Sequence, residues 1–199
     1  MPVRRKKKRH TPQNNAGSFR IIAGQWRGRR LCFPVAEGLR PTTDRVRETL
    51  FNWLHPQIEG ANVLDLFAGS GSLGFEALSR GAASLTFVEQ EHSVVQAIND
   101  NLSLLGGKAE VVNANALSWL KGRNLNDVDL VLLDPPFRKG LLDLCLDYLG
   151  ADALLRSGTL IYLELEKERK DLRVPDGWHL LKEKIAGQVS YRLYEFEGT

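Results

Sequence analysis

Between residues 62 and 166 short aliphatic stretches alternate with longer amphipathic ones, and this alternation limits the possible fold more than any other feature. Continuous aliphatic runs predict strands that are buried on both faces, and the segments between them predict helices. The predicted strands are NVLDLF, SLTFVE, AEVVNA, VDLVLLD and TLIYLELE, and the predicted helices are SLGFEALSRG, HSVVQAINDNLSLL, ALSWLKG and LLDLCLDYL. Because such alternation forms βαβ units, we expect a doubly wound α/β domain with a mostly parallel sheet.

The two ends of the chain depart from this pattern. WHLLKEKIAG and VSYRLYEFE, on either side of Gly187, predict an antiparallel hairpin that closes one sheet edge. FRIIAGQWRGRRLCFPV predicts a small basic β-hairpin extension, and RPTTDRVRETLFNWL predicts a helix with Thr42 or Thr43 as N-cap. We therefore expect a disordered basic tail at 1–18, a basic hairpin and helix at 19–58, and the α/β domain at 59–199.

Positive charge is concentrated at the front of the chain. Residues 1–60 hold 13 Lys and Arg against 4 Asp and Glu, whereas residues 61–199 hold 14 against 20. This asymmetry predicts a polyanionic partner, with nucleic acid favoured over protein. In the predicted helix, Arg45 and Arg47 fall off the apolar face. The expected nucleic-acid contacts are Trp26, Arg27, Arg29, Arg30, Arg40, Arg45, Arg47, Arg138 and Lys139.

Several classes of protein are not expected from this sequence. No apolar run approaches the ~20 residues that a membrane-spanning helix needs. The basic run Arg4–Arg9 leads into polar residues rather than into the apolar core of a signal peptide, so we expect a cytoplasmic protein. Cys32 and Cys145 lie far apart without a CxxC or Cys/His cluster, so neither a metal site nor a disulfide framework is predicted.

The segment DLFAGSGSLG, Asp65 to Gly74, forms a glycine turn between a predicted strand and a predicted helix. Small residues let the backbone approach a ligand closely, and the helix start offers free N–H groups. Glu89 ends the next strand, where a carboxylate can accept hydrogen bonds from both hydroxyls of a ribose. The combination predicts an adenosine-containing cofactor. Because Asp65 would repel a pyrophosphate but suits a cationic amino group, S-adenosylmethionine is favoured, with NAD as the alternative.

The segment LVLLDPPFRKG, Leu130 to Gly140, ends a predicted strand in an acid, two prolines and an aromatic residue. Proline donates no backbone hydrogen bond and cannot continue a central strand. The stiff turn would hold Asp134 and the Pro135 carbonyl as hydrogen-bond acceptors, with Phe137 beside them. Such groups are costly to place at a strand end, which suggests that a ligand binds there.

Taken together, five segments of the chain resemble a known family. FRIIAGQWRGRRL, LRPTTDRVRETLFNWL, VLDLFAGSGSLGFEALSRGA, LLDPPFRKG and KIAGQVSYRLYE look, in this order, like the bacterial small-subunit ribosomal RNA guanine-N2 methyltransferases of the RsmD type. The resemblance runs from about Phe19 to Glu195. It implies a Rossmann-like class I methyltransferase sheet and S-adenosylmethionine as methyl donor. It further implies one guanine N2 amine in 16S ribosomal RNA as acceptor, within a 30S particle or assembly intermediate, and we expect a monomeric enzyme.

The resemblance also implies roles for individual residues. Asp65, Gly69 and Gly71 would surround the methionine part of the cofactor, and Glu89 would bind its ribose, with Gln90 and Asn115 near the adenine. The complete expected cofactor set is Asp65, Phe67, Ala68, Gly69, Gly71, Glu89, Gln90, Asn115 and Ala116. The expected catalytic set is Asp134, Pro135, Pro136 and Phe137. Here the aspartate and the first proline carbonyl would accept the two amine protons, which frees the nitrogen lone pair for methyl transfer.

Three alternatives remain open. The DPPF turn does not separate guanine N2 from adenine N6, or RNA from DNA, so an adenine-N6 methyltransferase is the first. An NAD-dependent dehydrogenase is the second. The third is a non-catalytic RNA-binding module on the same fold, against which the intact Asp65, Glu89 and DPPF argue. Arg40 and Thr43 are alternatively expected to shape the methionine pocket. Amine methylation needs no nucleophile from the protein, which agrees with the positions of the two cysteines.

Overall fold

A computed structural model describes residues 16–34, 42–150 and 154–198 of the chain. Its elements, in chain order, are β1 (Ala16–Arg20), β2 (Arg30–Pro34), α1 (Asp44–Trp53), β3 (Asn62–Asp65), α2 (Ser72–Ser79), β4 (Ser84–Glu89), α3 (His92–Leu105), β5 (Glu110–Asn113), α4 (Ala116–Leu120), β6 (Leu130–Leu133), α5 (Leu141–Leu149), β7 (Leu160–Glu166), β8 (Trp178–Ala186) and β9 (Val189–Phe196). The predicted alternation of strands and helices is confirmed.

A seven-stranded sheet with the order β5-β4-β3-β6-β7-β9-β8 forms the centre of the molecule. The first five strands in this order pair in parallel, and β9 pairs antiparallel with both β7 and β8. The predicted doubly wound sheet with an antiparallel C-terminal hairpin is therefore confirmed. Strands β3 and β6 are neighbours in the sheet although five elements separate them along the chain. The strand order reverses between them, and folds of this kind bind ligands in the crevice at the carboxyl ends of those strands.

The two faces of the sheet are covered differently. Helices α4 and α5 pack on one face through residues such as Leu120 and Leu146. Helices α1, α2 and α3 pack on the other face together with the β1–β2 hairpin, through residues such as Leu50, Phe75 and Ile98. The N-terminal extension thus shares a core with the helices beside the glycine turn. Within the described part of the chain, no helix is long and apolar enough to cross a membrane.

The β1–β2 hairpin is antiparallel and places Phe19 opposite Leu31, both of them buried. Its connecting loop lies directly on α2, where the Gln25 N–H donates to the Ser79 carbonyl at 2.7 Å. Gly24 has a φ of +79°, and a Cβ there would lie 1.7 Å from that carbonyl oxygen, so only glycine fits.

The predicted boundary of the N-terminal tail needs one correction. Strand β1 begins at Ala16, so residues 16–18 belong to the hairpin, because their backbone pairs with Pro34, Phe33 and Cys32 of β2. The sequence did not predict this pairing, because alanine, glycine and serine have small side chains and no strong preference for a strand. The basic run Arg4–Arg9 lies outside the described residues.

Helix α1 begins as predicted, with Thr43 as N-cap, whose side chain accepts a hydrogen bond from the Val46 N–H at 3.4 Å. At the other end of the helix, Trp53 stacks on Tyr191 of β9 with ring centroids 5.3 Å apart. The prediction that Arg47 lies off the buried face is wrong, because its side chain is fully buried.

Arg47 is buried because it meets a buried acid on α2. Its Nη1 lies 3.7 Å from Glu76 Oε2, and its Nη2 donates to the Arg20 carbonyl at 2.8 Å. Glu76 also accepts hydrogen bonds from the backbone N–H groups of Ile22 at 2.8 Å and Ala23 at 3.0 Å. A buried charge needs a partner and further hydrogen bonds, and the hairpin, α1 and α2 together supply both.

We predict that Arg47→Met lowers the free energy of unfolding by about 1–3 kcal/mol. The change removes one of the two guanidinium groups that face the buried Glu76 carboxylate, the other being that of Arg80 at 2.7 Å, and it leaves the Arg20 carbonyl without its donor. Arg45→Met on the same helix is the matched control, since Arg45 is exposed and such changes usually stay within about 0.5 kcal/mol. Urea unfolding of both variants measures the difference. Equal losses in the two variants would contradict the role given to the buried pair.

Candidate active site

Four acidic side chains lie near the carboxyl ends of neighbouring strands. Asp65 ends β3 and Glu89 ends β4, while Asp134 directly follows β6 and Glu164 lies near the end of β7. Side chains alternate between the two faces of a strand, and these four occupy the face that α1, α2 and α3 cover. These four acidic side chains therefore lie together at the carboxyl ends of the strands.

The glycine turn brings backbone and acid together. The Gly74 N–H donates to Asp65 Oδ2 at 3.2 Å, and the Gly71 N–H donates to the Ala68 carbonyl at 2.7 Å. Gly71 has a φ of +79°, and a Cβ there would lie 2.8 Å from the Phe75 ring. Glycine is consequently required at this position by the backbone conformation and by the close packing of the Phe75 ring. Of the other predicted cofactor residues here, Ala68 is buried, and Phe67 and Gly69 are half-buried.

Both carboxylate oxygens of Glu89 accept a hydrogen bond from the backbone. Its Oε2 accepts from the Gly69 N–H and its Oε1 from the Glu91 N–H, both at 2.9 Å. Since an ionised carboxylate has about four acceptor positions, two remain for a diol such as ribose. Asn113, which the sequence gave no reason to single out, donates to the carbonyls of Glu89 at 3.0 Å and Gln90 at 2.9 Å. Asn113 thereby holds the turn after β4 in place.

The residues predicted near an adenine lie along the neighbouring turn. Gln90 is exposed, Ala116 is buried, and Asn115 caps α4 by accepting a hydrogen bond from the Ser118 N–H at 3.2 Å. This capping bond uses the carbonyl oxygen of the Asn115 side chain and leaves its amide nitrogen as a donor. A role for Gln90 and Asn115 toward adenine, and a place for Ala116 in the cofactor site, stay predictions.

The DPPF turn leaves the sheet at the end of β6. Pro135 is buried, Asp134 and Phe137 are half-buried, and Pro136 is exposed. Thr42, at the start of the segment leading into α1, donates from Oγ1 to Asp134 Oδ2 at 3.3 Å. The sequence marked Thr42 only as a possible helix cap, because a contact across 92 positions leaves no local signal.

The turn continues into two exposed basic residues, Arg138 and Lys139. Arg138 has a φ of 61°, which is uncommon for a residue other than glycine, and its N–H donates to Glu166 Oε1 at 2.8 Å. Glu166 at the end of β7 therefore ties down the backbone that follows DPPF.

The charge state of two of these acids is unusual. Burial, with the nearby negative charge of Asp134 as the next contribution, raises the pKa of Asp65 to about 8. Burial also raises the pKa of Asp134 to about 6, while the hydrogen bond from Thr42 partly offsets it. In the described part of the chain, no Lys, Arg or His forms an ion pair with Asp65, Asp134 or Glu164. The described residues also contain no group of three or more acidic, His or Cys side chains suited to a metal ion.

The residues predicted to contact nucleic acid differ in their exposure. Arg27, Arg29, Arg30 and Arg45 are exposed, with Arg138 and Lys139 beside the DPPF turn. Trp26 is only half-exposed, since its ring packs on the core and against Gly107. Arg47 is buried and is wrong as a nucleic-acid contact, because its guanidinium is used by the protein itself. Arg40 lies outside the described residues.

The comparisons with known proteins agree with one another. The model of the family described as conserved hypothetical protein 95 matches residues 19–195. The protein named ribosomal RNA small subunit methyltransferase D from Escherichia coli (strain K12) is 53% identical over 92% of this chain and 93% of its own length. The protein of the same name from Haemophilus influenzae is 51% identical over 95% of this chain and 99% of its own length.

Solved structures show the same similarity. A putative methyltransferase, yhhF from Escherichia coli, has 51% identity and a TM-score of 0.82, covering 92% of this chain and 100% of that one. A Thermus thermophilus 16S rRNA N2 G1207 methyltransferase, in complex with AdoMet and guanosine, has 20% identity and a TM-score of 0.68. It covers 96% of this chain and 53% of that one, and at this identity it shows the fold alone.

We predict that the ligand-free protein loses stability as the pH rises from about 4 to 8, relative to Asp65→Asn. The pKa of Asp65 is raised from 3.8 to about 8, so the folded protein holds this proton more tightly than the unfolded chain does. The contribution of Asp65 to stability is therefore complete at pH values below its pKa in the unfolded chain. This contribution is lost as the pH rises through the pKa of Asp65 in the folded protein, by at most about 1.4 kcal/mol per pH unit.

Urea unfolding of both proteins across this pH range measures the effect. Asp100→Asn on α3 is the control, because Asp100 is exposed. If the stabilities of the wild-type protein and Asp65→Asn ran parallel across the range, Asp65 would not be the buried acid described above.

Proposed function

We propose that this chain methylates the N2 amine of a guanine in 16S ribosomal RNA. The chain belongs to the family described as conserved hypothetical protein 95, and its relatives include the small-subunit ribosomal RNA methyltransferases D. The resemblance predicted from the sequence is confirmed. The donor is S-adenosylmethionine. The observation that carries the proposal is the group of buried acids without a cationic partner, located where the glycine turn and the DPPF turn meet.

The residues present fit this cofactor. S-adenosylmethionine supplies an activated methyl group on a positively charged sulfur, next to an ammonium group. Asp65 and Asp134 lie in a site that favours a cation, since positive charge would lower the raised pKa values of both acids. Glu89 retains acceptor positions for the ribose hydroxyls. A dinucleotide fits less well, because its pyrophosphate would add negative charge beside Asp65.

The DPPF turn presents acceptors to an amine. The exocyclic nitrogen of guanine is a poor nucleophile, because its lone pair is delocalised into the ring. Asp134 and the Pro135 carbonyl would accept its two protons and orient the lone pair toward the methyl group. With a pKa of about 6, Asp134 is largely ionised at neutral pH and able to accept. Phe137, half-buried beside it, offers a face on which an extruded base can stack.

The exposed arginines support RNA as the substrate. Arg27 and Arg29 on the hairpin loop and Arg45 on α1 present positive charge on the extension that carries Thr42 to Asp134. Arg138 and Lys139 add positive charge next to the DPPF turn. Phosphate contacts of this kind position a nucleic acid without reading its sequence. Recognition of one particular guanine must come from RNA shape and from the base pocket itself.

We predict that Asp134→Asn lowers methyl transfer by about 10²–10³-fold, because the uncharged amide oxygen is a weaker acceptor than a carboxylate for the proton of the target amine. The dissociation constant of S-adenosylhomocysteine should stay within a few-fold of the wild-type value. The assay transfers labelled methyl to 30S particles that lack their modifications, followed by nucleoside analysis of the product.

The control is Asp171→Asn, an exposed acid in the segment between β7 and β8. N2-methylguanosine as the product supports the proposal, whereas N6-methyladenosine would move the acceptor to adenine. Wild-type activity in Asp134→Asn would contradict the role of the DPPF turn. Stabilisation by NAD rather than by S-adenosylhomocysteine in a thermal-shift measurement would favour the dehydrogenase instead.

We predict that the double change Arg27→Gln and Arg29→Gln raises the KM for unmodified 30S particles several-fold, because each lost phosphate contact weakens binding. The salt dependence of binding should become shallower, while cofactor binding stays the same. The matched control is Lys182→Gln with Lys184→Gln, which removes two exposed charges from the edge strand β8. An equal effect of both double variants would show that only total charge matters.

A further inference from the structure

Among the described residues, Glu164 is the one buried acid at the carboxyl ends of the strands that neither the cofactor nor the DPPF chemistry described above uses. It is 5% exposed, near the end of β7. Strands β6 and β7 run in parallel with Leu133 opposite Leu163, so the next pair in this register is Asp134 and Glu164. Neighbouring strands lie ~4.8 Å apart, and both side chains point to the same face, so the two carboxyl groups stand side by side.

Two hydroxyl groups hold these carboxyls. The Tyr162 hydroxyl donates to Glu164 Oε1 at 2.7 Å, from the same strand. Thr42 donates to Asp134 at 3.3 Å and also lies close enough to Glu164 to lower the pKa of that carboxyl. Burial is the largest effect, and together with the charge of Asp134 it raises the pKa of Glu164 well above its usual range, which the hydrogen bonds offset only in part. A ligand N–H that donates to this carboxyl group would favour its ionised form. Because the Tyr162 hydroxyl donates to Glu164, it favours this carboxyl group as an acceptor, and the remaining lone pairs are left for a ligand.

A structural role alone does not account for this arrangement. Two adjacent buried acids repel each other, and each is costly to remove from water. A glutamine at this position would accept the same hydrogen bond from Tyr162 without the charge. The site therefore suits a ligand with two adjacent hydrogen-bond donors, one for each carboxyl group.

We propose that Glu164 is a specificity-determining residue that accepts the ring N1–H of the target guanine, while Asp134 accepts a proton of the neighbouring N2 amine. Guanine carries these two donors next to each other on its Watson–Crick edge. Adenine instead carries an acceptor, N1, next to its N6 amine, and this acceptor would face the Glu164 carboxylate. The inference rests on the proposed function and supplies the guanine preference that the DPPF turn alone does not provide.

The test compares two nucleosides and a near-isosteric variant. 2,6-Diaminopurine riboside keeps the 2-amino group, but its N1 is an acceptor rather than a donor. Affinities for it and for guanosine are measured by ligand-observed NMR, with protein saturated with S-adenosylhomocysteine at pH 7.5. Wild-type protein should bind guanosine at least tenfold more tightly, because a site built to bond an N–H rejects the analogue that lacks it. In Glu164→Gln the amide can donate to N1 of the analogue, so the preference should disappear or invert.

Two further variants separate recognition from folding. Glu168→Gln makes the same chemical change at an exposed position shortly after β7 and should leave the nucleoside preference unchanged. Glu164→Asp keeps the charge but shortens the side chain, so it should weaken guanosine binding while retaining the preference. Thermal unfolding and S-adenosylhomocysteine binding show whether each variant is folded. With 30S particles as substrate, Glu164→Gln should lower kcat/KM at least tenfold.

The outcomes of these measurements are distinct. Loss or inversion of the preference in Glu164→Gln alone supports the inference. An unchanged preference in that variant, or a wild-type protein that binds both nucleosides equally, would overturn it. In either of these cases N2-methylguanosine as the product would leave the proposed function intact. If the product were N6-methyladenosine, the proposed function and this inference would both fall.

Discussion

The buried contact between Arg47 and Glu76 joins the N-terminal extension to the α/β domain. Glu76 binds the backbone of the hairpin loop at Ile22 and Ala23, while Arg47 binds the carbonyl at the end of β1. The hairpin, α1 and α2 therefore form one unit around the buried Glu76 carboxylate, which the guanidinium groups of Arg47 and Arg80 both face. This unit fixes the start of α1, and so the position from which Thr42 reaches Asp134. The ion pair thus acts together with the shared apolar core to hold the extension on the α/β domain.

Charge is separated between the surface and the site. The exposed arginines of the extension face outward, whereas Asp65, Asp134 and Glu164 are turned inward without a cationic partner among the described residues. Burying these acids costs free energy, and the cost shows in the raised pKa values of Asp65 and Asp134. A cationic cofactor relieves part of this cost when it binds. The same acids repel phosphate, so an RNA held by the arginines would enter this site through a base rather than through its backbone.

The sequence predicted the sheet well because its strands are buried on both faces and read as continuous aliphatic runs. The glycine turn, Glu89 and DPPF were found because each occupies a defined position relative to a strand end. Arg47 was misassigned since helical periodicity describes one helix only, and its partner Glu76 lies on another element. Thr42, Asn113 and Glu164 act through tertiary contacts with residues from other elements, to which no local pattern points. In TLIYLELE, the glutamate at 164 looks like the polar side of an alternating strand.

The two prolines of the DPPF turn restrict the kind of ligand that can bind beside them. Neither Pro135 nor Pro136 has a backbone N–H, so this stretch of the turn can only accept hydrogen bonds. Asp134 and Glu164 are acceptors too, and the two hydroxyls near them already donate to the carboxyl groups. This side of the site is therefore built of acceptors and is complementary to a group with several N–H donors. A carbonyl or phosphate would find no donor there, whereas the Watson–Crick edge of guanine offers an amine and a ring N–H together.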